Sequence, residues 1–252
     1  MSWYADPTAY FSNRGIEQTA NATEMWTILH TYVGWPDTSV AAVLGNVSAE
    51  STFNPWLWEG RVLRDKSSSS PAYYRDFNGG YGLIQWTPYP PTPHPNTQPY
   101  IDSVVAQQYP GYAPNFGDYA GSVQDGEAQT YFIEYDMNDP GNWFPCSVSY
   151  YKPAFDAIGV DIYQFRSMTA YEFVNGAVPN GGLMDYYGAF MLNYLRPNNN
   201  AAANRFWRFY NEAAYWLGYF GGVVPPTPVP STPAEWVFYY LKRKKRGGRV
   251  IL

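Results

Sequence analysis

The sequence predicts a mainly α-helical domain with a small irregular or β-hairpin section near residues 58–90. Three observations carry this. Apolar residues recur at helical spacing in several separate stretches. Glycine and proline turns divide those stretches. Between them, residues 54–100 hold a long polar insertion with Ser67 to Ser70, the Gly79-Gly80 turn and Pro90-Pro91-Thr92-Pro93-His94-Pro95. That last run is too proline-rich for a helix or a central strand. A chain of 252 residues can bury a sizeable core as one large domain or two small ones.

Residues 1–20 read as an irregular lead-in. Asn21, with Glu24 three positions on, resembles a capping box. Met25, Ile28, Leu29, Tyr32 and Val33 then recur at helical spacing until Gly34 and Pro36 impose a stop. Asp37 or Thr38 is the expected cap of the next helix, whose apolar face is Val40, Val43, Leu44 and Val47. Glu50 comes three residues after Val47, which places its carboxylate on that face near the helix end. Further helical regions are expected over 123–137, about 168–175, 183–195 and 201–219. After Gly222 the composition changes. Residues 223–235 hold five prolines and predict a semi-rigid linker, and 236–252 form an aromatic and basic C-terminal tail. The main domain therefore spans 21–222.

Charge is unevenly placed. The net charge is −5, from 16 Lys and Arg against 21 Asp and Glu. Six of the cations are Lys242 to Arg246 and Arg249, which leaves ten cations against all 21 acids, near −11, in the rest. An acidic body argues against nucleic acid as its substrate. The tail has three readings: docking to anionic lipid or teichoic acid, contact with DNA or an acidic partner inside a particle, or a solvated end. Aromatic residues reach 19%, with 25 Tyr and 10 Trp, side chains that suit both a core and the faces of sugar rings. A single cysteine, Cys146, excludes an intrachain disulfide. Two histidines, His30 and His94, are too few for a typical His-rich metal site. No segment reads as a signal peptide or a membrane-spanning helix.

The most informative stretch is Gly45-Asn46-Val47-Ser48-Ala49-Glu50-Ser51-Thr52-Phe53-Asn54-Pro55, followed by Gly80-Tyr81-Gly82-Leu83-Ile84-Gln85-Trp86. It puts one carboxylate at the end of an apolar helix and then supplies a glycine-rich turn and an aromatic-flanked amide. Glycoside cleavage needs a proton delivered to the leaving oxygen as an oxocarbenium-like centre develops. A carboxyl does this near neutral pH when burial raises its pKa. Val43, Val47, Phe53 and Trp86 are candidate walls, and Ser51 and Asn54 are placed to fix the chain where the helix ends. The bland alternative is a surface Glu that happens to follow an apolar helix.

These two motifs resemble the paired signature of the lysozyme superfamily, shared by lytic transglycosylases and by goose-type and animal lysozymes. The closer resemblance is to the phage tail lysozyme family, whose signature is similar to Gly-Asn-x-x-x-Glu-Ser…Gly-Tyr-Gly-x-x-Gln-Trp. Gln129 to Tyr135 resembles that family's next helix, and Phe190 to Arg205, with Tyr194, Arg196 and Pro197, its closing aromatic–Arg–Pro segment. The resemblance covers roughly residues 24–220. It implies a lysozyme-like α+β domain with a β-hairpin beside the catalytic helix and peptidoglycan as substrate. It further implies Glu50 as general acid, with Ser51, Tyr81, Gln85 and Trp86 as substrate-binding residues. No cofactor or metal is implied.

Two positions depart from the pattern. Animal-type lysozymes have an Asp before the Tyr-Gly of the second motif, serving as second carboxylate, and the matching residue here is Gly80. Asp65 and Asp76 are candidate replacements, with Glu59 a weaker one. Without a second carboxylate, the substrate's acetamido or 6-hydroxyl group captures the cation, giving a lytic-transglycosylase product. Leu195 stands where the family often has Glu, which implies a structural difference.

The resulting expectation is a phage tail-associated enzyme that cuts the β-1,4 bond between N-acetylmuramic acid and N-acetylglucosamine while the genome passes into the host. Its partners would be peptidoglycan and other virion tail proteins, with the basic tail facing an anionic partner or membrane surface. A Pro linker to a short basic end, with no recognisable wall-binding repeat, favours the virion over a free endolysin. The rivals are an endolysin, a non-catalytic lysozyme-fold binding protein, and a cysteine peptidase using Cys146 with His30 or His94.

Overall fold

The computed structural model describes residues 3–6, 10–57, 80–86, 97–109, 124–139, 141–178 and 181–221. Helix α1 (Ile16–Trp26) runs directly into a π-helical turn, Thr27–Tyr32. It begins inside the expected lead-in, with Gly15 at its N-cap and no side-chain cap bond, so the box at Asn21 and Glu24 does not start it. Asn21 is instead a fully buried mid-helix residue. Its Oδ1 accepts from the Tyr4 N–H at 2.8 Å, and its Nδ2 donates to the carbonyls of Tyr4 and Phe53 at 2.7 and 2.9 Å. A buried amide with both ends met can sit inside a helix that its propensity disfavours.

Gly34, at φ +83°, ends this segment and Pro36 precedes α2 (Asp37–Ser51). Val40, Val43, Leu44 and Val47 are fully buried, as their spacing predicts, but so are Ala41 and Ala42. Asn46 and Ser48 are buried as well, so α2 is enclosed from Val40 to Ser48 on every side. A helix without a solvated face is a central element.

Four more expected regions are helices. They are α4 (Asp125–Asn138), α7 (Ala170–Asn175), α8 (Leu183–Ala189) with a π-helical continuation Phe190–Leu195, and α9 (Asn199–Gly221). A Thr169–Glu172 capping box opens α7, and left-handed Gly176 closes it. Three helices lie outside the expected set: α3 (Thr97–Gln108), α5 (Val148–Asp156) and α6 (Tyr163–Arg166). In α3, Pro99 lies in the first turn, where its missing N–H removes no intrahelical bond. Helix α5 carries Pro153 internally.

The mainly α reading holds, and no β-hairpin is seen among the described residues. Among the described residues there is no strand, only an isolated antiparallel bridge between Tyr81 and Trp86. One bridge closes a tight turn and builds no ladder. The rest of the expected hairpin region, the Pro-rich linker and the basic tail lie outside the described residues.

The chain divides into two compact units, the first taking residues up to 34 and 51–133, the second 35–50 and 134–224. In the second unit the core is aromatic. Phe206 of α9 meets Phe155 of α5, Phe165 of α6 and Tyr187 of α8 at ring-centroid distances of 5.4, 5.8 and 5.3 Å. Gly45 lets α2 approach α9: a Cβ there would lie 2.5 Å from that of Ala213. The fully buried Asn193 ties the π-helical turn to its surroundings. Its Oδ1 accepts from the Cys146 N–H at 2.9 Å, and its Nδ2 donates to the Phe165 carbonyl at 2.9 Å.

Candidate active site

Glu50 is the penultimate residue of α2 and half-buried. It belongs to the second unit, and the chain passes into the first at Ser51. The backbone just beyond the helix is strained. Thr52 and Phe53 both have left-handed conformations, at φ +53° and +64°. Two consecutive non-glycine residues there cost roughly 1–2 kcal/mol each, and persist only where surrounding bonds over-determine them.

Those bonds are present in the first unit. The buried Ser51 hydroxyl donates to the Leu83 carbonyl at 2.9 Å. Thr52 Oγ1 accepts from the Phe11 N–H at 2.8 Å, and the Phe53 carbonyl takes the Asn21 amide. Asn54 Oδ1 accepts from the N–H groups of Asp6 and Trp56 at 3.2 and 3.1 Å. Ser51 and Asn54 thus fix the chain at the helix end, as their positions predict.

The second motif is an equally constrained turn. Gly82 has φ +80°, and a Cβ on it would lie 2.5 Å from Gln129 Oε1. Glycine is therefore required both by conformation and by contact. Gln85 also has a left-handed backbone, φ +57°. Its Nε2 donates to the carbonyls of Gly82 and Leu57 at 2.8 and 3.0 Å, and the Gly82 N–H donates to the same Leu57 carbonyl at 2.9 Å. The fully buried Gln129 accepts from the Leu83 N–H and donates to the Pro55 carbonyl, each at 2.8 Å. Leu83 is thereby clamped on both sides of its backbone.

Of the expected substrate-binding residues, Gln85 and Trp86 are half-buried, while Ser51 and Tyr81 are fully buried. The Tyr81 hydroxyl is directed to Gln98 Oε1 at 3.3 Å. Trp86 meets the Phe132 ring edge-on at 5.5 Å. The expected carboxylates Asp65, Asp76 and Glu59 lie outside the described residues. Gly80 has a local reason to lack a carboxylate: a Cβ there would lie 2.7 Å from Gln85 Cβ and 2.9 Å from its carbonyl oxygen. An aspartate at this position requires a different turn.

Glu50 has one neighbour that sequence reasoning missed, Tyr187 of α8. Its ring is buried and its hydroxyl has no hydrogen-bond partner. Burial first, and the Glu50 charge second, hold that hydroxyl protonated. An unpartnered buried hydroxyl leaves no sequence signal beyond a tyrosine among aromatic residues. Gln129 did leave one, as the first residue of the helix resembling the family's.

In the closing segment, the Tyr194 hydroxyl donates to Asp136 Oδ2 at 2.6 Å and Arg196 lies 5.1 Å from the Phe144 ring centroid. The Pro197 carbonyl accepts from Tyr151 at 2.8 Å. Leu195 ends the π-helical turn, half-buried. Cys146 is buried and its thiol is pushed up, mainly by burial, which disfavours the thiolate a peptidase needs. His30 stacks on Trp26 at 5.5 Å, and His94 lies outside the described residues. Among the described residues no cluster of His, Cys, Asp or Glu could hold a metal ion, and no helix is long and apolar enough to cross a membrane.

Comparison with known proteins bears on the same elements. Morphogenesis protein 1 of Bacillus phage B103 is 35% identical over 80 residues, which is 32% of this chain. The match spans 18% of that relative's length. The phage tail lysozyme family matches residues 20–220, taking in both motifs, Gln129 and the closing segment, and the chain belongs to that family.

Proposed function

We propose that this chain cleaves the β-1,4 bond between N-acetylmuramic acid and N-acetylglucosamine in peptidoglycan, with Glu50 as general acid. The observation that carries this is the mounting of Glu50. It stands at the end of a helix enclosed from Val40 to Ser48, immediately before a strained turn held by side-chain bonds. A rigid carrier suits a positioned proton donor, and left-handed non-glycine backbone of this kind clusters at active sites. Glu50 protonates the leaving oxygen; Gln85 and Trp86 contact the sugar, while Ser51 and Tyr81 act from buried positions by holding the turn. Either Asp65 or Asp76, or the substrate's own acetamido or 6-hydroxyl group, captures the cation. Family membership supports the glycan substrate, and the phage relative supports a virion setting in which other tail proteins are the partners. The basic residues at the C-terminus suit an anionic partner.

Digestion of purified peptidoglycan by wild type and Glu50→Gln, with mass spectrometry of the products, tests the reading. The variant is expected to fold normally and to lose at least about 100-fold in rate. Equal cleavage by the two proteins overturns the role of Glu50. Reducing ends indicate hydrolysis, and 1,6-anhydro ends indicate transglycosylation. Probing purified particles for the chain separates a tail protein from an endolysin.

A further inference from the structure

Two buried glutamines and one half-buried carboxylate form a continuous polar line beneath the second motif. Gln129 Oε1 accepts from the Leu83 N–H at 2.8 Å. Its Nε2 must then face away, and it donates to the Pro55 carbonyl and to Gln98 Oε1, both at 2.8 Å. Gln98 Oε1 is also the acceptor for the Tyr81 hydroxyl. The Gln98 amide is consequently oriented with Nε2 toward Asp102 Oδ1, 2.7 Å away. Both glutamines are fully buried.

The polarity of this line is set from both ends. An amide has one accepting and one donating side. A backbone N–H at Leu83 and a backbone carbonyl at Pro55 fix Gln129, and Gln129 with Tyr81 fixes Gln98. Turning either amide over would set donor against donor or acceptor against acceptor in a buried site, leaving each such group unmet. The far end of the line therefore calls for an acceptor, which Asp102 supplies. At the near end, the Leu83 carbonyl is the group that Ser51, next to Glu50, holds.

We propose that Asp102, Gln98 and Gln129 are positioning residues: a directional relay that sets the Gly82–Gln85 turn and, through Leu83 and Ser51, the end of the helix carrying Glu50. The function of the relay rests on the peptidoglycan-cleaving reading, whereas its existence does not. The relay needs an acceptor at 102 and not a charge. Burial pushes the Asp102 carboxyl up to about 6, with the Gln98 hydrogen bond opposing, so its acceptor role is available in either protonation state near that pH.

The test compares wild type, Asp102→Asn and Asp102→Leu by amide hydrogen exchange at Leu83 and by kcat and KM on soluble peptidoglycan fragments. Asn keeps an acceptor for Gln98 Nε2, so it is expected to retain slow Leu83 exchange and wild-type kcat. Leu is expected to speed Leu83 exchange at least about tenfold and to lower kcat about tenfold with KM within roughly twofold, because a displaced turn costs alignment more than binding. If Asp102→Leu does not fold, Gln98→Met breaks the line one step later and carries the same expectations. Unchanged Leu83 exchange in the Leu or Met variant overturns the relay. Faster exchange with unchanged kcat overturns its positioning role. A wild type without activity overturns the peptidoglycan reading, and the exchange measurement still decides the relay.

Discussion

The region around Leu83 and the region around Phe206 are both buried, but they are held together differently. At Leu83 the contacts are directional: amides, hydroxyls and backbone groups paired one to one, with Thr52, Phe53, Gly82 and Gln85 in left-handed conformations. At Phe206 three rings from three helices surround a fourth, and ring faces and edges make the contacts. A ring cluster tolerates changes of shape if volume is kept. A polar line tolerates changes of volume poorly and changes of polarity hardly at all. The two motifs lie in the second kind of environment, where each group has a single geometry.

Two swaps, each leaving an apolar side chain at the site, measure that difference. Gln129→Met leaves the Leu83 N–H and the Pro55 carbonyl without their partner and is expected to destabilise by about 4 kcal/mol. Phe206→Leu keeps an apolar side chain among the same rings but leaves a small cavity, and is expected to cost about 2 kcal/mol. Urea denaturation of both variants gives the comparison directly. A larger loss for Phe206→Leu than for Gln129→Met breaks it.

Between these lies the effect of Asp102. Its carboxyl is raised from 3.8 to about 6 in the fold, chiefly by burial. Between those values the native state binds more protons than the unfolded chain, so stability falls as pH rises through the window and is level above it. Replacing the carboxyl by a neutral amide removes this dependence. Asp102→Asn is expected to exceed wild type in stability by up to about 3 kcal/mol at about pH 7, with the gap closing by about pH 4. Denaturant midpoints at the two pH values check it; a pH-independent difference would show that the carboxyl is not titrating in this window.

The same contrast decides which parts of the molecule are legible in its sequence. Helices α2, α8 and α9 announce themselves because long apolar repeats bounded by glycine or proline have few other solutions. The two motifs are legible as motifs, and Glu50 as the end of a periodic helix. The start of α1 is not, because Asn21 and Glu24 mimic a cap, whereas Asn21 serves Tyr4 and Phe53 across the unit. Helix α3 is hidden by Pro99 and by the polar run before it, and α5 by Pro153. Of the region expected to hold a β-hairpin, the described residues 80–86 close a single bridge. The relay is invisible because its partners are far apart in the chain, 46 positions between Leu83 and Gln129, and a side-chain amide has no period.

The smallest expected effect concerns a neighbour of Glu50 in the second unit. Tyr187 sits at the edge of the ring cluster, against Phe206 and Tyr210, yet carries a buried hydroxyl without a partner. Burying such a group is unfavourable, and removing it while keeping the ring preserves the packing. Tyr187→Phe is expected to leave stability unchanged or raise it by about 1 kcal/mol, read by thermal and urea unfolding. A clear loss of stability would mean the hydroxyl is bonded in solution. The Glu50 carboxyl acts on it electrostatically, so the same variant's pH–rate profile would then show whether that bond reaches the carboxyl.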